Sequence, residues 1–300
     1  MSIVVTGATG QLGRLVVDAL LDAASAGGAA SAEGAAPAER IVAVVRDKEK
    51  AADLAERGVE LRIADYSRPE TLAGVFEAGD RVLLISGSEV GRRVAQHSAV
   101  IDAAKAAGVA RLAYTGVLGG DDADFELAAE HKETERLILA SGLPYTFLRN
   151  GWYSENYTAN LAPVLAHGAV VSNAGEGRIA SASRADYAAA AAAVLTGPAE
   201  EHLNQVYELS GDTAWSFAEY AAEVAARSGR EVTYTPVSAG AHLEILLGAG
   251  LPRPLAEILV DVDRAAEHGA LALRTGDLTR LIDRPTTPVG VSIQEALDAS

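Results

Sequence analysis

The sequence predicts an α/β protein built on a doubly wound parallel β-sheet, and three observations support this prediction. Short aliphatic runs alternate with segments of helical apolar spacing through the first half of the chain. The run Ile-Val-Ala-Val-Val at residues 41–45 is continuously apolar, as in strands buried on both faces of a sheet. A glycine-rich stretch separates the first strand from the first helix. Strand–helix–strand units in this order form right-handed crossovers between parallel strands.

The first half of the chain supplies most elements of this sheet. Ile3-Val4-Val5 is a short β-run, and residues 10–22 form a helical pattern with apolar residues on one face. Further apolar runs predict strands at residues 41–45, 61–64, 82–85, 111–114 and 145–148. The intervening segments have helical spacing and predict helices at residues 49–57, 69–77, 91–107 and 124–141.

The second half of the chain is less regular. Strands are expected at residues 206–209 and 232–237, and Gly229 is placed to end a helix. Helices are expected at residues 159–167, around 188–193, and at 215–228, 242–247, 255–268 and 292–299. Because ligands of doubly wound sheets bind beyond the carboxyl ends of the strands, we expect this half to complete the sheet and to form a smaller C-terminal α/β substrate lobe.

One segment, residues 23–39, interrupts the pattern. It contains nine alanines and three glycines, with no large apolar side chain. Such a composition buries too little surface to offset the entropy of ordering the segment. We therefore expect a surface insertion between the first helix and the second strand, with a lid or docking loop as the alternative.

Composition excludes several classes of function. Asp and Glu outnumber Lys and Arg by 41 to 25, a formal net charge of −16, so nucleic acids and anionic membranes are unfavourable partners. The absence of cysteine excludes disulfides, zinc–thiolate sites and thiol nucleophiles. The six histidines lack metal-ligand spacing, so no metal site is predicted. Since no export-signal pattern and no long apolar window are visible, we expect a soluble cytoplasmic protein.

A loop that resembles a dinucleotide-binding loop follows the first strand. Its sequence is Gly7-Ala8-Thr9-Gly10-Gln11-Leu12-Gly13. In a Rossmann fold, glycines at this place allow a tight turn, close approach of the backbone to a pyrophosphate and close helix–strand packing. The following helix N-terminus offers free N–H groups to the phosphates. The spacing G-x-x-G-x-x-G is typical of short-chain dehydrogenases/reductases, so we predict an NADP-binding Rossmann domain at residues 1–155 and a substrate segment at 156–300.

The residue after the second strand indicates which dinucleotide binds. An acidic residue there would accept hydrogen bonds from the ribose of NAD. Here the residue is Arg46, whose guanidinium can hold a 2′-phosphate by two hydrogen bonds. Asp47 comes one position later than an NAD contact requires, and the alternative for Arg46 is a solvated surface residue. We predict NADPH, and Asp65 at the end of the third strand is a candidate to face the adenine.

The usual proton donor of short-chain reductases is missing. That donor is the tyrosine of a Tyr-x-x-x-Lys pair, but none of the nine tyrosines is followed by lysine four residues later. A quinone is an acceptor that suits such a site, because hydride delivery yields a delocalised hydroquinone anion rather than a basic alkoxide. Positioning of the quinone and hydrogen bonds to the developing oxyanion can then suffice for the reaction.

Several motifs together resemble one known family. They are the glycine loop, Arg46, the segments 84–91, 104–109 and 113–115, RNGWYSENY at 149–157, IASASRADYAAAA at 179–191 and RPTT at 284–287. These motifs are similar to the type-2 NAD(P)H:quinone oxidoreductases, a group of NmrA-like atypical short-chain dehydrogenases/reductases. The resemblance runs nearly from end to end of the chain.

The resemblance implies a set of site residues. Those expected to hold NADPH are Gly7, Ala8, Thr9, Gly10, Gln11, Leu12 and Arg46, and those expected on its nicotinamide side are Ser86, Asn150, Gly151, Trp152, Tyr153, Ser154, Glu155 and Ser181. Asn150, Trp152 and Tyr153 are expected to border the quinone, because aromatic faces stack on it and an amide donates to its oxygen. Core packing is the alternative for Trp152. His131 stands where related reductases carry lysine and is a candidate proton donor. Its alternative is a helical histidine satisfied by its neighbours.

Three functional hypotheses follow from these residues. The leading one is a cytoplasmic NADPH-dependent quinone reductase that transfers hydride directly to a small-molecule quinone, without flavin or metal. The second is an NmrA-like redox sensor that binds NADP and a protein partner without turnover. The third is a conventional short-chain alcohol dehydrogenase. The sequence leaves the oligomeric state open, with a homodimer as one alternative.

Overall fold

The computed structural model describes residues 1–29, 39–159 and 161–299. Its strands, in chain order, are β1 Ser2–Thr6, β2 Arg40–Val45, β3 Glu60–Ile63, β4 Arg81–Leu84, β5 Arg111–Val117, β6 Tyr145–Asn150, β7 Ala169–Ser172, β8 Arg178–Ile179, β9 Gln205–Leu209, β10 Trp215–Ser216 and β11 Thr233–Pro236. Its α-helices are α1 Gln11–Ala29, α2 Ala52–Glu56, α3 Arg93–Ala107, α4 Glu126–Ser141, α5 Glu155–Thr158, α6 Leu161–His167, α7 Arg184–Thr196, α8 Ala199–His202, α9 Phe217–Ser228, α10 Ala239–Gly248, α11 Arg253–Glu267, α12 Asp277–Ile282 and α13 Val289–Asp298.

The main sheet confirms the predicted doubly wound parallel α/β fold. Among the described residues, seven strands form it in the order β3-β2-β1-β4-β5-β6-β9. The pairs β1–β2, β1–β4, β2–β3 and β4–β5 are parallel. The strand order reverses between β1 and β4, so the crevice beyond their carboxyl ends is where a doubly wound sheet binds its ligand.

Three expected elements differ from the structure. Residues 69–77 form only a 3₁₀ turn at Pro69–Leu72, because Gly74 has a φ of +72° and ends the regular backbone. Helix α1 runs on to Ala29, into the segment that we expected to be an insertion, because alanine favours helix more than any other residue. Residues 30–38, most of that expected insertion, lie outside the described residues. Trp215 belongs to β10, since the following Ser216 forms a capping box with Glu219 and starts α9 there.

Contacts divide the chain into two units. Unit 1 comprises Met1–Val117, Glu130–Arg149 and Tyr187–Tyr207. Unit 2 comprises Leu118–Ala129, Asn150–Asp186 and Glu208–Ser300. The division at residue 155 that we expect from the sequence stays a prediction.

Unit 1 has an aliphatic core on its sheet. Val4, Val42, Val82 and Leu112 come from four neighbouring strands and are fully buried, as the continuous apolar runs predict. Val100 of α3 packs into the same cluster. This core fixes the strand ends from which the candidate ligand-binding loops emerge.

Unit 2 contains two small sheets and an aromatic cluster. Strand β11, expected from residues 232–237, pairs in parallel with β7 in a two-stranded sheet, and β8 pairs antiparallel with β10. The rings of Tyr157, Trp215, Phe217 and Tyr220 contact one another at centroid distances of 5.0 to 6.0 Å. Edge-to-face contacts of this kind add stability beyond the burial of apolar area.

A buried polar cluster in unit 2 joins β7, α10 and α11. The Ser172 hydroxyl donates to Asp263 Oδ2 at 2.6 Å. Asn173 Nδ2 donates to the Val260 carbonyl at 3.1 Å. The same amide therefore directs its Oδ1 toward His242 Nδ1, at 2.7 Å. That imidazole nitrogen therefore carries the ring hydrogen, and it also lies 3.3 Å from Asp263 Oδ2. Burial raises the pKa of Asp263 to about 6 and lowers the pKa of His242, so at neutral pH a buried carboxylate faces a neutral imidazole.

We expect Asp263→Asn to stabilise the protein at neutral pH. Because the Asp263 pKa is about 6 in the folded protein and about 3.9 when unfolded, the free energy of unfolding falls as the pH rises from about 4 to 6, by on the order of 3 kcal/mol. The variant lacks this titration, so its advantage over the wild type should grow across the same range. Denaturant unfolding of both proteins at several pH values measures the difference.

The exposed Asp298 provides the control, since Asp298→Asn removes the same charge at the surface. A pH-independent difference between Asp263→Asn and the wild type would contradict the proposed titration of Asp263.

Candidate functional site

In unit 1, the three glycines at the junction of β1 and α1 are each required for a different reason. Gly7 has a φ of +64°, in the left-handed region that favours glycine. The Gly10 N–H donates to the Gly7 carbonyl at 2.9 Å and closes the turn. A Cβ at Gly13 would overlap the Gly7 carbonyl oxygen and lie 2.8 Å from Ala8 Cα. The loop thus lets the first turn of α1 approach the end of β1 closely, which forms a cradle of backbone N–H groups for an anion.

The remaining predicted loop residues differ in exposure. Ala8 and Leu12 are buried, so they can offer a ligand only their backbone. Thr9 is half-buried, and Gln11 is exposed at the first position of α1. The structure therefore places the predicted residues from Gly7 to Leu12 together, with two side chains facing out from the loop.

Arg46 lies directly after β2 and is exposed. Among the described residues it has no ion-pair partner, unlike most arginines of unit 1. Asp47, the competing acidic residue, accepts the Glu49 N–H at 2.9 Å and is used in a local turn. The end of β2 therefore presents a cation that can take an additional phosphate.

The segment after β3 carries the predicted Asp65. Its carboxylate accepts the Ser67 N–H at 2.9 Å, and its own N–H donates to the Thr71 hydroxyl at 2.9 Å. The next residue, Tyr66, points its hydroxyl to 3.8 Å from where a Gly7 Cβ would stand. No motif or spacing in the sequence singles out Tyr66.

The loop after β4 is held by hydrogen bonds to β5 and α4 of unit 1. Ser86, a predicted site residue, donates its N–H to the Thr115 hydroxyl at 2.9 Å. The Glu130 carboxylate of α4 accepts the N–H groups of Gly91 and Arg93, both at 3.1 Å, and so caps the start of α3. These contacts hold the loop at the carboxyl end of β4.

His97 adds a further contact to the same loop. Its Nε2 accepts the Gly87 N–H at 2.9 Å, so its Nδ1 carries the hydrogen and donates to Thr134 Oγ1 at 2.9 Å. Burial and the charge of Arg93 lower the pKa of His97 to about 4. The imidazole is therefore neutral at pH 7, as this arrangement requires.

His131, the candidate proton donor, is buried in unit 1. The Tyr114 hydroxyl lies 2.7 Å from its Nδ1. Burial lowers the pKa of His131 to about 3, with smaller contributions from the charges of Arg93 and His97. Burial also raises the pKa of Tyr114, so at neutral pH a protonated phenol faces a neutral imidazole. The role of His131 in proton donation stays a prediction.

In unit 2, the predicted residues at 150–155 cluster with the segment at 181–184. Asn150 Nδ2 donates to the Tyr153 hydroxyl at 3.1 Å, and the Arg184 guanidinium lies 4.9 Å from the Tyr153 ring centroid. The Glu155 carboxylate accepts the Arg184 N–H at 2.8 Å. Burial raises the pKa of Tyr153, so its phenol stays protonated at neutral pH.

The other predicted residues of unit 2 mostly form hydrogen bonds with neighbouring protein groups. The hydroxyls of Ser154 and Ser181 lie 2.9 Å apart, and Trp215 Nε1 donates to Ser181 Oγ at 2.9 Å. The Gly151 N–H donates to the Leu209 carbonyl at 2.6 Å. Trp152 is half-buried beside the Tyr157 hydroxyl. Their assignment to a cofactor site stays a prediction.

The part of the chain that the structure describes lacks two further kinds of site. No group of His, Asp and Glu side chains there is arranged to hold a metal ion. No described helix is long and apolar enough to cross a membrane.

Comparisons with known proteins agree on one family. Residues 1–272 match the NmrA-like family. The chain is 44% identical over 298 residues to quinone oxidoreductase 2 of Escherichia coli strain K12, covering 99% of each chain. It is similar to the crystal structure of the NADPH-dependent quinone oxidoreductase of E. coli complexed with NADPH, with 45% identity, a TM-score of 0.90 and coverage of 98% and 99%. It is also similar to the triphenylmethane reductase of Citrobacter complexed with NADP(H), with 38% identity, a TM-score of 0.89 and coverage of 98% and 100%.

Proposed function

Because the chain belongs to the NmrA-like family, we propose that it is an NADPH-dependent quinone reductase that transfers hydride directly to a quinone, without flavin or metal. The observation that carries the proposal is the 44% identity to a quinone oxidoreductase over 99% of both chains. A cytoplasmic location and a homodimeric state stay predictions.

The residues of unit 1 fit NADPH. Gly7 and Gly10 keep the loop backbone free of side chains where a pyrophosphate must approach it. Arg46, exposed and without an ion-pair partner among the described residues, supplies a planar cation for the 2′-phosphate. Bound NADPH would supply the hydride, from its nicotinamide ring, and the protein holds and orients the reactants.

Asn150 and Tyr153 are proposed to act on the quinone. Since the Tyr153 oxygen accepts from the Asn150 amide, the hydrogen of the phenol is directed away from Asn150. Burial keeps that phenol protonated, and the Arg184 charge over its ring favours donation to a developing oxyanion. A hydrogen bond of this kind is sufficient for a quinone, whose reduced form is a delocalised anion.

The first test is steady-state turnover by the purified wild-type protein. We expect oxidation of NADPH in the presence of benzoquinone or a naphthoquinone, without added flavin. Binding of NADPH without turnover of any quinone would favour the redox-sensor hypothesis. The absence of binding to either NADPH or NADH would remove both proposals.

Arg46→Ala should weaken NADPH binding by roughly 1.5–3 kcal/mol, the range for a charged hydrogen-bonded contact, and leave NADH binding nearly unchanged. Calorimetric titration with both dinucleotides measures this preference. Arg68→Ala is the matched control, because Arg68 is an exposed arginine of the same unit that pairs with Glu70. An unaltered preference for NADPH over NADH would show that Arg46 does not contact the 2′-phosphate.

Asn150→Ala should lower kcat by up to about 100-fold. The reason is that the variant loses the amide that donates to the Tyr153 hydroxyl and orients it toward the developing oxyanion. NADPH affinity should change much less. Gln205→Ala is the control, because Gln205 is an exposed amide whose side chain donates to the Leu203 carbonyl and lies outside the predicted site residues. Comparing kcat with the dissociation constant of NADPH separates the two effects. A loss of NADPH affinity with unchanged kcat would instead place Asn150 in cofactor binding alone.

A further inference from the structure

We propose that Tyr66 is a further cofactor-binding residue, whose hydroxyl donates a hydrogen bond to a phosphate oxygen of the bound dinucleotide. This inference rests on the proposed function, because it assumes that unit 1 binds NADPH. It assigns a role to a residue that the motifs and their spacing do not identify.

The first observation is an unsatisfied hydroxyl. The Tyr66 ring packs against the aliphatic core of unit 1. Its oxygen is buried and has no hydrogen-bond partner within residues 1–29, 39–159 and 161–299. Buried polar groups are almost always paired, and leaving one unpaired destabilises the folded state. A hydroxyl kept in this condition suggests a partner that arrives with a ligand.

The second observation is where this hydroxyl lies. A Cβ at Gly7 would stand 3.8 Å from the Tyr66 oxygen and 3.7 Å from Ile85 Cβ. Gly7 directly follows β1 and Ile85 directly follows β4, the two strands between which the sheet order reverses. The hydroxyl therefore lies at the floor of the crevice where a doubly wound sheet binds its ligand.

The surrounding groups indicate the chemistry of that partner. Thr6 donates its hydroxyl hydrogen to the Leu83 carbonyl at 3.0 Å and accepts the Ile85 N–H at 3.3 Å, so it is already engaged. Burial raises the pKa of Tyr66, while the charge of Arg46 and the nearby Thr6 hydroxyl, which does not meet the geometry of a hydrogen bond to Tyr66, oppose the shift. The phenol therefore remains a donor at neutral pH. A donor beside the backbone cradle and near a guanidinium is suited to an anionic oxygen, which in a dinucleotide is a phosphate oxygen.

An unsatisfied hydroxyl alone would not support this inference. Tyr220, in the aromatic cluster of unit 2, also has a buried hydroxyl without a partner in the described part of the chain. Its ring contacts the rings of Tyr157 and Trp215 rather than a glycine loop. The location of Tyr66 beside Gly7 is what separates the two residues, and Tyr220 provides a matched control.

The test compares Tyr66→Phe with Tyr220→Phe in two measurements. The first is the melting temperature without ligand, which both substitutions should raise because each removes an unsatisfied buried hydroxyl. The second is the dissociation constant for NADPH and for NADH by calorimetry. Tyr66→Phe should weaken NADPH binding by about tenfold or more, as expected for a hydrogen bond to a charged acceptor, whereas Tyr220→Phe should bind like the wild type.

The two dinucleotides identify which phosphate accepts the hydrogen bond. An equal loss for NADPH and NADH would indicate the pyrophosphate, and a loss confined to NADPH would indicate the 2′-phosphate. Tyr66→Phe with wild-type affinity for both would overturn the inference while leaving the proposed function intact. A lower melting temperature of that variant would also overturn it, since the hydroxyl would then have a partner in the free protein. Failure of the wild type to bind either dinucleotide would instead remove the proposed function.

Discussion

The close approach of α1 to the end of β1 is the constraint on which the candidate site depends. No side chain fits at Gly13, because a Cβ there would overlap the Gly7 carbonyl oxygen. This packing directs the first turn of a long helix at the space beyond β1, where its unpaired N–H groups and dipole favour an anion. The neighbouring strand ends then place Arg46, Tyr66 and the loop after β4 around the same crevice of unit 1. The chemistry proposed for the protein thus depends on backbone packing before it depends on any side chain.

Much of the main sheet could be predicted from the sequence, because its strands are buried on both faces and read as continuous aliphatic runs. The errors occurred where local composition was ambiguous. An alanine-rich segment is compatible with both a disordered loop and a helix. We predicted a surface insertion from residue 23, but α1 continues to Ala29. The strands β7 and β8 were missed because they are only four and two residues long. Such strands are specified by their partners in space, and a single sequence does not show partners.

The candidate site also contains residues that the sequence could identify and residues that it could not. The glycine loop and Arg46 are contiguous with a strand and could be identified by their spacing. The contacts that His97 and Glu130 make with the loop after β4 join residues 10 and 39 positions apart, and no local pattern indicates them. For His131, the sequence position suggested a proton donor, but nothing in the sequence indicated that the side chain is buried beside Tyr114. Burial decides the charge of an imidazole, and it follows from tertiary packing.

Asp47 separates the turn after the second strand from the position that is proposed to select the coenzyme. Enzymes that use the unphosphorylated coenzyme place an acidic residue at the end of the second strand to accept the ribose hydroxyls. This chain carries an acidic residue one position further on, but its carboxylate already terminates a turn by accepting the Glu49 N–H. Replacing Arg46 by an acidic residue would leave this turn intact, because the carboxylate that holds it belongs to the next residue. The charge at the strand end can therefore change independently of the backbone that follows it.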